Sequence, residues 1–252
     1  MMPTSSPASA EQELLALWEC ATARRPLDRD DALLATAFGG EVPRSLSQRH
    51  ARLLALRQRL FGRALALRSN CPHCAATAEF AVDCAALQPA LNPSPESAQA
   101  QTVEHAGWHA RFRNPDALDL RAAASTAPRD DSAALARALL QRCLLQCQSP
   151  DGSVQAVDAL PVELADAMSQ AMDAAEPGAA LGFDLVCPDC RTAWSALLDP
   201  GGVLWTELRQ RAESLLLDID ALARAYGWTE PQVLALSPTR RAAYLQLVAH
   251  GE

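Results

Sequence analysis

Two short motifs of the form Cys-Pro-x-Cys are the residues of this sequence best suited to chemistry. One runs from Cys71 to Cys74 and the other from Cys187 to Cys190. A single cysteine pair of this spacing is ambiguous, but two pairs of the same form predict one tetrahedral site with four thiolate ligands. Zinc suits such a site because it accepts four soft ligands and has no geometric preference beyond the tetrahedron. The sequence therefore predicts one structural zinc held by Cys71, Cys74, Cys187 and Cys190.

Each motif lies between short apolar or alternating runs, which is the pattern of a strand. Residues 65–68 and 181–186 precede the two motifs, and residues 78–82 and 193–197 follow them. A strand, a Cys-Pro-x-Cys turn and a second strand make one half of a zinc ribbon. The sequence thus predicts a ribbon whose two halves are separated by a long insertion, a wider separation than in a compact ribbon.

Other uses of the cysteine pairs remain open. A redox dithiol of the thioredoxin type would open a helix in a βαβ unit, and neither motif precedes a helical pattern. A catalytic zinc would need an open coordination position, whereas four thiolates fill the shell. A thiol-dependent enzyme that uses Cys71 or Cys187 is one alternative to a structural role.

Cys143 and Cys147 lie four residues apart in a stretch, 131–147, that is predicted to be helical. On a helix they would share a face and could chelate a metal or replace a ribbon ligand. The alternative is that both are small buried side chains among leucines.

Composition limits the class of protein. The chain has 252 residues, of which 49% are hydrophobic, so a sizeable core is available. It shows no signal-peptide pattern and no apolar stretch of transmembrane length. Eight cysteines without a leader predict a reducing, cytoplasmic environment in which thiols bind metal.

Charge is unevenly distributed along the chain. The net charge is −8, and residues 75–186 carry 15 acidic and 6 basic side chains, whereas residues 44–68 carry seven arginines and no acid. The basic run is predicted to be mostly one helix from Ser45 to Gly62, with Arg52, Arg59 and Arg63 on one face. This stripe could meet an acidic partner or a phosphate backbone, or it could pair with acids of the same chain. The acidic balance disfavours a general nucleic-acid binder.

The sequence predicts an α+β protein that is mostly helical. Four regions are expected: a helical region at 1–62, the ribbon halves at 63–87 and 181–200, an acidic and mainly helical insertion at 88–180, and a helical module at 201–252. Within the insertion, helices are predicted at about 116–124, 131–147 and 161–174, and a strand at 108–113. The strongest helix begins near Leu204, and its apolar stripe extends to Tyr226.

The chain ends with two short helices that have clear start signals. Thr229 with Gln232 forms a capping box, and Ser237 is a cap before a first-turn proline. The stretch from Tyr226 to Pro238, with Tyr244 beyond it, resembles the small helical module of phage tail assembly and baseplate proteins. These proteins often read aromatic-x-Trp-x-x-x-x-[Val/Ile/Leu]-x-x-[Leu/Met], which Trp228 and its neighbours match.

The whole layout resembles baseplate or baseplate-hub assembly proteins of T-even-type contractile tails and of phage-tail-like contractile injection systems. The resemblance implies a structural or chaperone-like role and baseplate, hub or tail proteins as partners. It implies no catalytic residues. Trp228 and Tyr244, together with Arg52, Arg59 and Arg63, are the candidate partner-binding residues.

No constellation of catalytic residues is recognisable in the sequence. It contains no glycine-rich phosphate loop, no Gly-x-Ser-x-Gly elbow and no His-Glu-x-x-His. His105 and His109 are four apart, but Gly107 lies between them in a strand-like stretch. We therefore expect a cytoplasmic, zinc-stapled, non-enzymatic assembly protein, with no membrane contact and with the possibility that it enters the finished particle. The main alternatives are a zinc-ribbon nucleic-acid or transcription-associated module and the thiol-dependent enzyme.

Overall fold

The computed structural model describes residues 7–91, 99–128 and 131–250. Helices predominate, and three small antiparallel sheets complete an α+β fold, as predicted. The helices are α1 (Pro7–Ala21), α2 (Pro26–Phe38), α3 (Leu46–Phe61), α4 (Gln88–Leu91), α5 (Ala117–Thr126), α6 (Ser132–Cys143), α7 (Val162–Ala175), α8 (Pro200–Tyr226), α9 (Glu230–Leu234) and α10 (Pro238–His250). The strands are β1 (Ala64–Asn70), β2 (Thr77–Asp83), β3 (Gln101–His105), β4 (Trp108–Phe112), β5 (Leu144–Gln148), β6 (Gly182–Val186) and β7 (Ala193–Leu197).

The described chain divides into two compact units. One unit comprises the residues up to Gly40 and from Gly201 onward, and the other comprises the residues from Glu41 to Pro200. The second unit therefore contains both cysteine motifs and also α3, which the sequence analysis grouped with the first two helices. The finer division into four regions remains a prediction.

The first unit is helical and is built around the long helix α8. The apolar stripe predicted for this helix is buried at five positions: Leu204, Leu208, Leu215, Ile219 and Leu222. Tyr226, the predicted sixth member, is 40% exposed because the helix ends there and Gly227 follows with a φ of 69°. Pro200, the last residue of the predicted second ribbon half, instead begins α8, where a first-turn proline is tolerated.

The C-terminal module is anchored in the first unit by a buried ion pair. Both carboxylate oxygens of Glu11 on α1 accept hydrogen bonds from the Arg241 guanidinium on α10, and Arg211 on α8 adds a third contact at 3.3 Å. The Arg241 side chain is only 3% exposed, and Asp218 lies 3.5 Å from its Nε. Val233 and Leu234 of α9 are buried as well. The module therefore contributes to the core of its own unit.

The second unit is organised around α3, whose caps are those predicted. The Ser45 side chain accepts a hydrogen bond from the Gln48 amide, and Gly62 ends the helix with a φ of 89°. Strand β1 starts two residues after this glycine, so α3 sets the position of the first cysteine motif. The Arg63 carbonyl accepts a hydrogen bond from the Cys84 amide, which closes the base of the β1–β2 hairpin.

The chain that leads into the second cysteine motif is fixed to the same helix. Glu176, buried at the end of α7, accepts hydrogen bonds from the Ser45 hydroxyl (2.6 Å) and the Ser47 amide (2.9 Å) at the start of α3. A carboxylate is favourable there because the first amides of a helix lack partners within it. Two residues later, the Gly178 carbonyl accepts a 2.8 Å hydrogen bond from His50 of α3. Burial lowers the pKa of His50 and so favours the neutral ring. Nδ1 is the donor because its partner is a carbonyl oxygen.

A three-stranded sheet of order β3–β4–β5 lies between the two hairpins in sequence and packs its inner face on α7. Residues 144–148 form β5 and pair with β4 from His109 to Phe112, so the prediction of a helix over 131–147 is wrong beyond Cys143. Strand pairing overrides the local helical pattern here, since leucines at 144 and 145 suit either structure.

A methyl group at Gly178 should weaken the second unit. A Cβ there would lie 2.6 Å from the Ala90 carbonyl oxygen and 2.7 Å from Ser47 Oγ, and both distances are too short for a contact with Cβ. We expect Gly178→Ala to lower the free energy of unfolding by roughly 1–3 kcal/mol, as overpacking does. Gly182→Ala is the matched control, because its Cβ would lie 3.3 Å from the Ser195 hydroxyl and 3.9 Å from Leu197 Cδ2, with no backbone atom in close contact. Urea unfolding of both variants measures the difference, and equal midpoints would contradict the packing described.

Removing the buried guanidinium should destabilise the first unit. We expect Arg241→Gln to cost about 3–5 kcal/mol, because it leaves the Glu11 carboxylate buried without its main partner. Arg240→Gln, on the exposed neighbouring residue, should change stability by less than about 0.5 kcal/mol. Thermal unfolding followed by circular dichroism compares the two. A loss for Arg240→Gln as large as that for Arg241→Gln would show that the pair is not the anchor.

Candidate metal centre

Two hairpins of the same construction carry the four cysteines. In the first, β1 and β2 pair from Ala64–Asp83 to Asn70–Thr77, and in the second, β6 and β7 pair from Gly182–Leu197 to Val186–Ala193. All four strands alternate between exposed and more buried residues. The strand, turn and strand predicted around each motif are therefore confirmed.

The two turns, called here the first and second knuckle, have the same backbone hydrogen bonds. In the first knuckle (residues 71–76) the Ala75 amide donates to the Cys71 carbonyl, and the Cys71 amide donates to the Ala76 carbonyl, both at 2.9 Å. In the second knuckle (residues 187–192) the same two bonds join Arg191 to Cys187 at 3.1 Å and Cys187 to Thr192 at 2.9 Å. Ala75 and Arg191 both have a φ of 61°, a left-handed conformation that turns the chain back after the second cysteine.

The hairpins contact each other through their more buried faces. The rings of Phe80 and Phe183 lie with centroids 5.6 Å apart, and the Trp194 indole N–H donates to the Ser69 hydroxyl at 3.2 Å. These contacts cross from one hairpin to the other, so the two turns lie at the same end of the pair.

The four cysteine sulfurs converge at that end. Cys71 Sγ lies 3.6 Å from Cys190 Sγ, Cys74 Sγ lies 3.5 Å from Cys187 Sγ, and all four sulfurs lie within 4.8 Å of one another. A tetrahedral ion with metal–sulfur bonds of about 2.3 Å places its sulfurs about 3.8 Å apart. The observed separations are close to that value and far longer than a disulfide bond. Among the described residues, this is the group that could hold a metal ion.

Burial differs between the inner and outer cysteines. Cys71 and Cys187, the first cysteine of each knuckle, are buried, whereas Cys74 is exposed and Cys190 is half-buried. The Cys190 amide also points at the Cys187 sulfur at 3.5 Å. Amide hydrogen bonds to sulfur orient the ligands and spread their negative charge, which is the usual role of the groups around a metal's ligands.

Without an ion, the clustered thiols have strongly perturbed acidities. The Thr192 hydroxyl and the Thr192 amide lower the pKa of Cys190 to about 5, whereas the pKa of Cys74 rises to about 12. For Cys74 the Ala76 amide acts in the lowering direction, but the neighbouring sulfurs of Cys187 and Cys190 outweigh it. The cluster thus retains protons that a bound cation would displace, so metal affinity should increase with pH.

The other two candidate ligands do not join the cluster. Cys143 ends α6 and Cys147 lies in β5, so they do not share a helix face as predicted; the chain changes from helix to strand between them. Both are fully buried, and Cys147 packs in the apolar core with Ala110, Phe112, Leu164 and Met168. Burial raises the pKa of both thiols, to about 11 for Cys143, as expected for inert core cysteines.

The three arginines of the predicted stripe do not all lie on one helix face, and each interacts with other parts of the chain. Arg63 lies after Gly62 and outside α3, so it does not share a helix face with Arg52 and Arg59, and it forms an ion pair with Asp83 at 2.9 Å. Arg52 donates to the Glu41 carbonyl at 3.2 Å. Arg59 also has an interaction within the structure.

The rest of the basic run is also engaged. The ion pairs and hydrogen bonds of its other four members join Arg44 to Asp116, Arg49 to Pro43, Arg57 to Gly62 and Ala64, and Arg68 to Glu79. The acids paired with this run, Asp83, Glu79 and Asp116, belong to the same chain, and Asp116 lies in the predicted insertion.

Trp228 and Tyr244 belong to a cluster of three aromatic side chains in the first unit. The Trp228 ring stacks on Tyr226 at 4.8 Å and meets the edge of Tyr244 at 4.9 Å. Trp228 and Tyr244 are half-buried, and Leu247 on α10 is 62% exposed. The three rings therefore pack on one another.

Comparison of the chain with protein families, with curated proteins and with solved structures found no match. The geometry of the four sulfurs is therefore what indicates the ligand of this site. Among the described residues, no helix is both long and apolar enough to cross a membrane.

The left-handed residues of the two knuckles provide a test of their shared geometry. A β-branched residue is strongly disfavoured at positive φ, whereas glycine is not. We expect Ala75→Val and Arg191→Val each to destabilise the protein by about 1–2 kcal/mol, and Ala75→Gly and Arg191→Gly to leave stability equal or higher. Denaturant unfolding of the four variants measures this. Val and Gly variants of equal stability at either position would contradict the left-handed turn there.

Proposed function

We propose that this protein is a non-enzymatic structural or assembly protein in which Cys71, Cys74, Cys187 and Cys190 hold one zinc ion. The observation that supports this most strongly is the convergence of two matching knuckles from distant parts of the sequence on one four-sulfur cluster. Four thiolates suit zinc best among common protein metals, and a filled tetrahedral shell leaves no position for a substrate or a water. The ion then joins the two hairpins as the halves of a split zinc ribbon.

The surroundings of the cluster also support a structural role. Four cysteine sulfurs would fill all four positions of a tetrahedral ion and leave none for a water or a substrate, and His73 and Asp189 are exposed within the turns. A general acid or base must be within hydrogen-bonding reach of the reacting group. The pKa values of Asp119 and Asp151 are strongly lowered, and both carboxylates are bound to neighbouring side chains. Asp119 pairs with Arg113 and Arg142. Asp151 accepts hydrogen bonds from Ser149 and Ser153.

The biological setting we propose is the baseplate of a contractile tail or a phage-tail-like injection system. This part rests on the resemblance of the segment from Tyr226 to Tyr244 and of the overall layout. The half-buried aromatic cluster and exposed Leu247 give that segment a surface on which a partner protein could pack. The engagement of the arginines within the chain disfavours the nucleic-acid module: Arg63 is paired with Asp83, and Arg52 donates to the Glu41 carbonyl.

Zinc analysis tests the metal. Protein purified without added metal or chelator should contain one zinc per chain, and replacing any one of the four ligands by serine should remove zinc and most of the soluble protein. The effect is large because metal binding is coupled to folding, with an apparent contribution on the order of 10 kcal/mol. Cys20→Ser and Cys84→Ser are the controls and should retain zinc. Native protein without zinc, or ligand variants that keep it, would refute the proposed centre.

Recovery of particle components tests the setting. Tagged protein expressed in its native host should recover identified baseplate, hub or tail proteins, and Leu247→Asp should reduce their yield several-fold by placing a charge in the contact. Leu217→Asp, on the 70% exposed Leu217 of α8, is the matched control and should retain them. Both variants should unfold like the wild type, since both leucines are exposed. Recovery of no particle component by the wild type would contradict the proposed setting and leave the metal centre unaffected.

A further inference from the structure

The two knuckles share a backbone but differ at one side chain beside the outer sulfur. In the second knuckle the Thr192 hydroxyl lies 3.3 Å from the Cys190 sulfur. The equivalent residue of the first knuckle is Ala76, which has no hydroxyl. Cys74 is also the exposed member of the four, whereas Cys190 is half-buried.

These differences act in the same direction on a metal-bound thiolate. A thiolate cannot donate, so in the zinc-bound state the Thr192 hydroxyl donates to Cys190 and withdraws negative charge from that sulfur. Cys74 retains only the amide of Ala76 as a donor. In the zinc-bound state all four ligands are thiolates, so their reactivity with an electrophile or an oxidant depends on the negative charge left on the sulfur and on access, and Cys74 has the greater share of both.

We propose that Cys74 is the modification site of the metal centre: the first ligand to react with electrophiles and peroxides, and the point at which the centre opens. This inference rests on the proposed zinc. It adds to that proposal a reactive ligand and a class of reagent. Cys71 and Cys187 are buried, so they are protected from direct attack.

The reaction with peroxide has two steps, the first at Cys74 and the second at Cys187. The Cys74 thiolate attacks one peroxide oxygen, the O–O bond breaks, and the hydroxide that leaves takes up a proton to form water. The product is a sulfenic acid on Cys74. The Cys187 thiolate, whose sulfur lies 3.5 Å away, then attacks the Cys74 sulfur and expels the second hydroxide, which also becomes water. The two thiolates have supplied the two electrons that reduce one peroxide.

The product is a disulfide that joins the two knuckles. Only Cys71 and Cys190 would remain as thiolate ligands, so a bound zinc would be lost to a competing chelator. Because the disulfide crosses from one hairpin to the other, it would replace the ion as their covalent link while the oxidised state lasts.

Competitive alkylation of the zinc-loaded full-length protein tests the first step. The protein is treated briefly with limiting iodoacetamide and unfolded in chelator with excess isotopically heavy iodoacetamide, and each cysteine is quantified by peptide mass spectrometry. We expect Cys74 to react about tenfold faster than Cys190, the factor that one ordinary hydrogen bond supplies. Zinc release, followed with a coloured chelator, should proceed at the rate of Cys74 modification.

A matched exchange of the two side chains isolates the cause. Thr192→Ala should speed modification of Cys190 several-fold, Ala76→Thr should slow that of Cys74, and Thr192→Ser should behave like the wild type. With peroxide, non-reducing peptide maps should show the Cys74–Cys187 disulfide and one equivalent of zinc released.

Two outcomes would overturn the inference while leaving the zinc centre intact: zinc-loaded protein in which another ligand is modified first, or a Cys190 rate that Thr192→Ala does not change. Absence of zinc in the purified protein would instead refute the proposed centre, and this inference with it. Zinc content is therefore measured on each preparation before alkylation.

Discussion

The convergence of four sulfurs is the constraint on which the second unit depends. An isolated two-stranded hairpin is marginally stable at best in water, and this unit contains two of them. Besides the four sulfurs, a pair of phenylalanine rings and an indole hydrogen bond join them. Four thiolates so close together would repel one another without a cation. An ion that binds all four converts this repulsion into the strongest link between the hairpins, which is the role we propose for zinc.

The scaffold around the cluster explains how distant cysteines come to meet. Helix α3 ends at Gly62 and leads directly into the first hairpin, while Glu176 and Gly178 fix the approach to the second hairpin on the first turns of the same helix. The described residues between the hairpins form helices and a small sheet of their own. The intervening chain can therefore be long without loosening the site, because its ends are held close together.

Local signals in the sequence predicted those parts of the fold that depend on local chemistry. The knuckles and their flanking strands, the Ser45 and Gly62 caps of α3 and the Thr229–Gln232 capping box all lie where predicted. Each depends on residues within a few positions of one another. The meeting of the two knuckles was also predictable, because a four-thiolate site explains two motifs of the same form.

Features that depend on distant partners could not be read from the sequence. Residues 144–148 are a strand because β4 pairs with them. The buried Glu11–Arg241 and Glu176–Ser45 contacts join residues more than a hundred positions apart, and nothing in their neighbours distinguishes them from exposed charges. The Thr192 hydroxyl differs in effect from Ala76 because the shared backbone of the two knuckles places it beside the outer sulfur.

X-ray absorption at the zinc edge of the natively purified protein tests the central claim most directly. The account predicts a first shell of four sulfur atoms at about 2.3 Å and no lighter ligand, as a closed thiolate site requires. A shell that contains nitrogen or oxygen would contradict the four-cysteine centre, and so would a protein that carries no zinc.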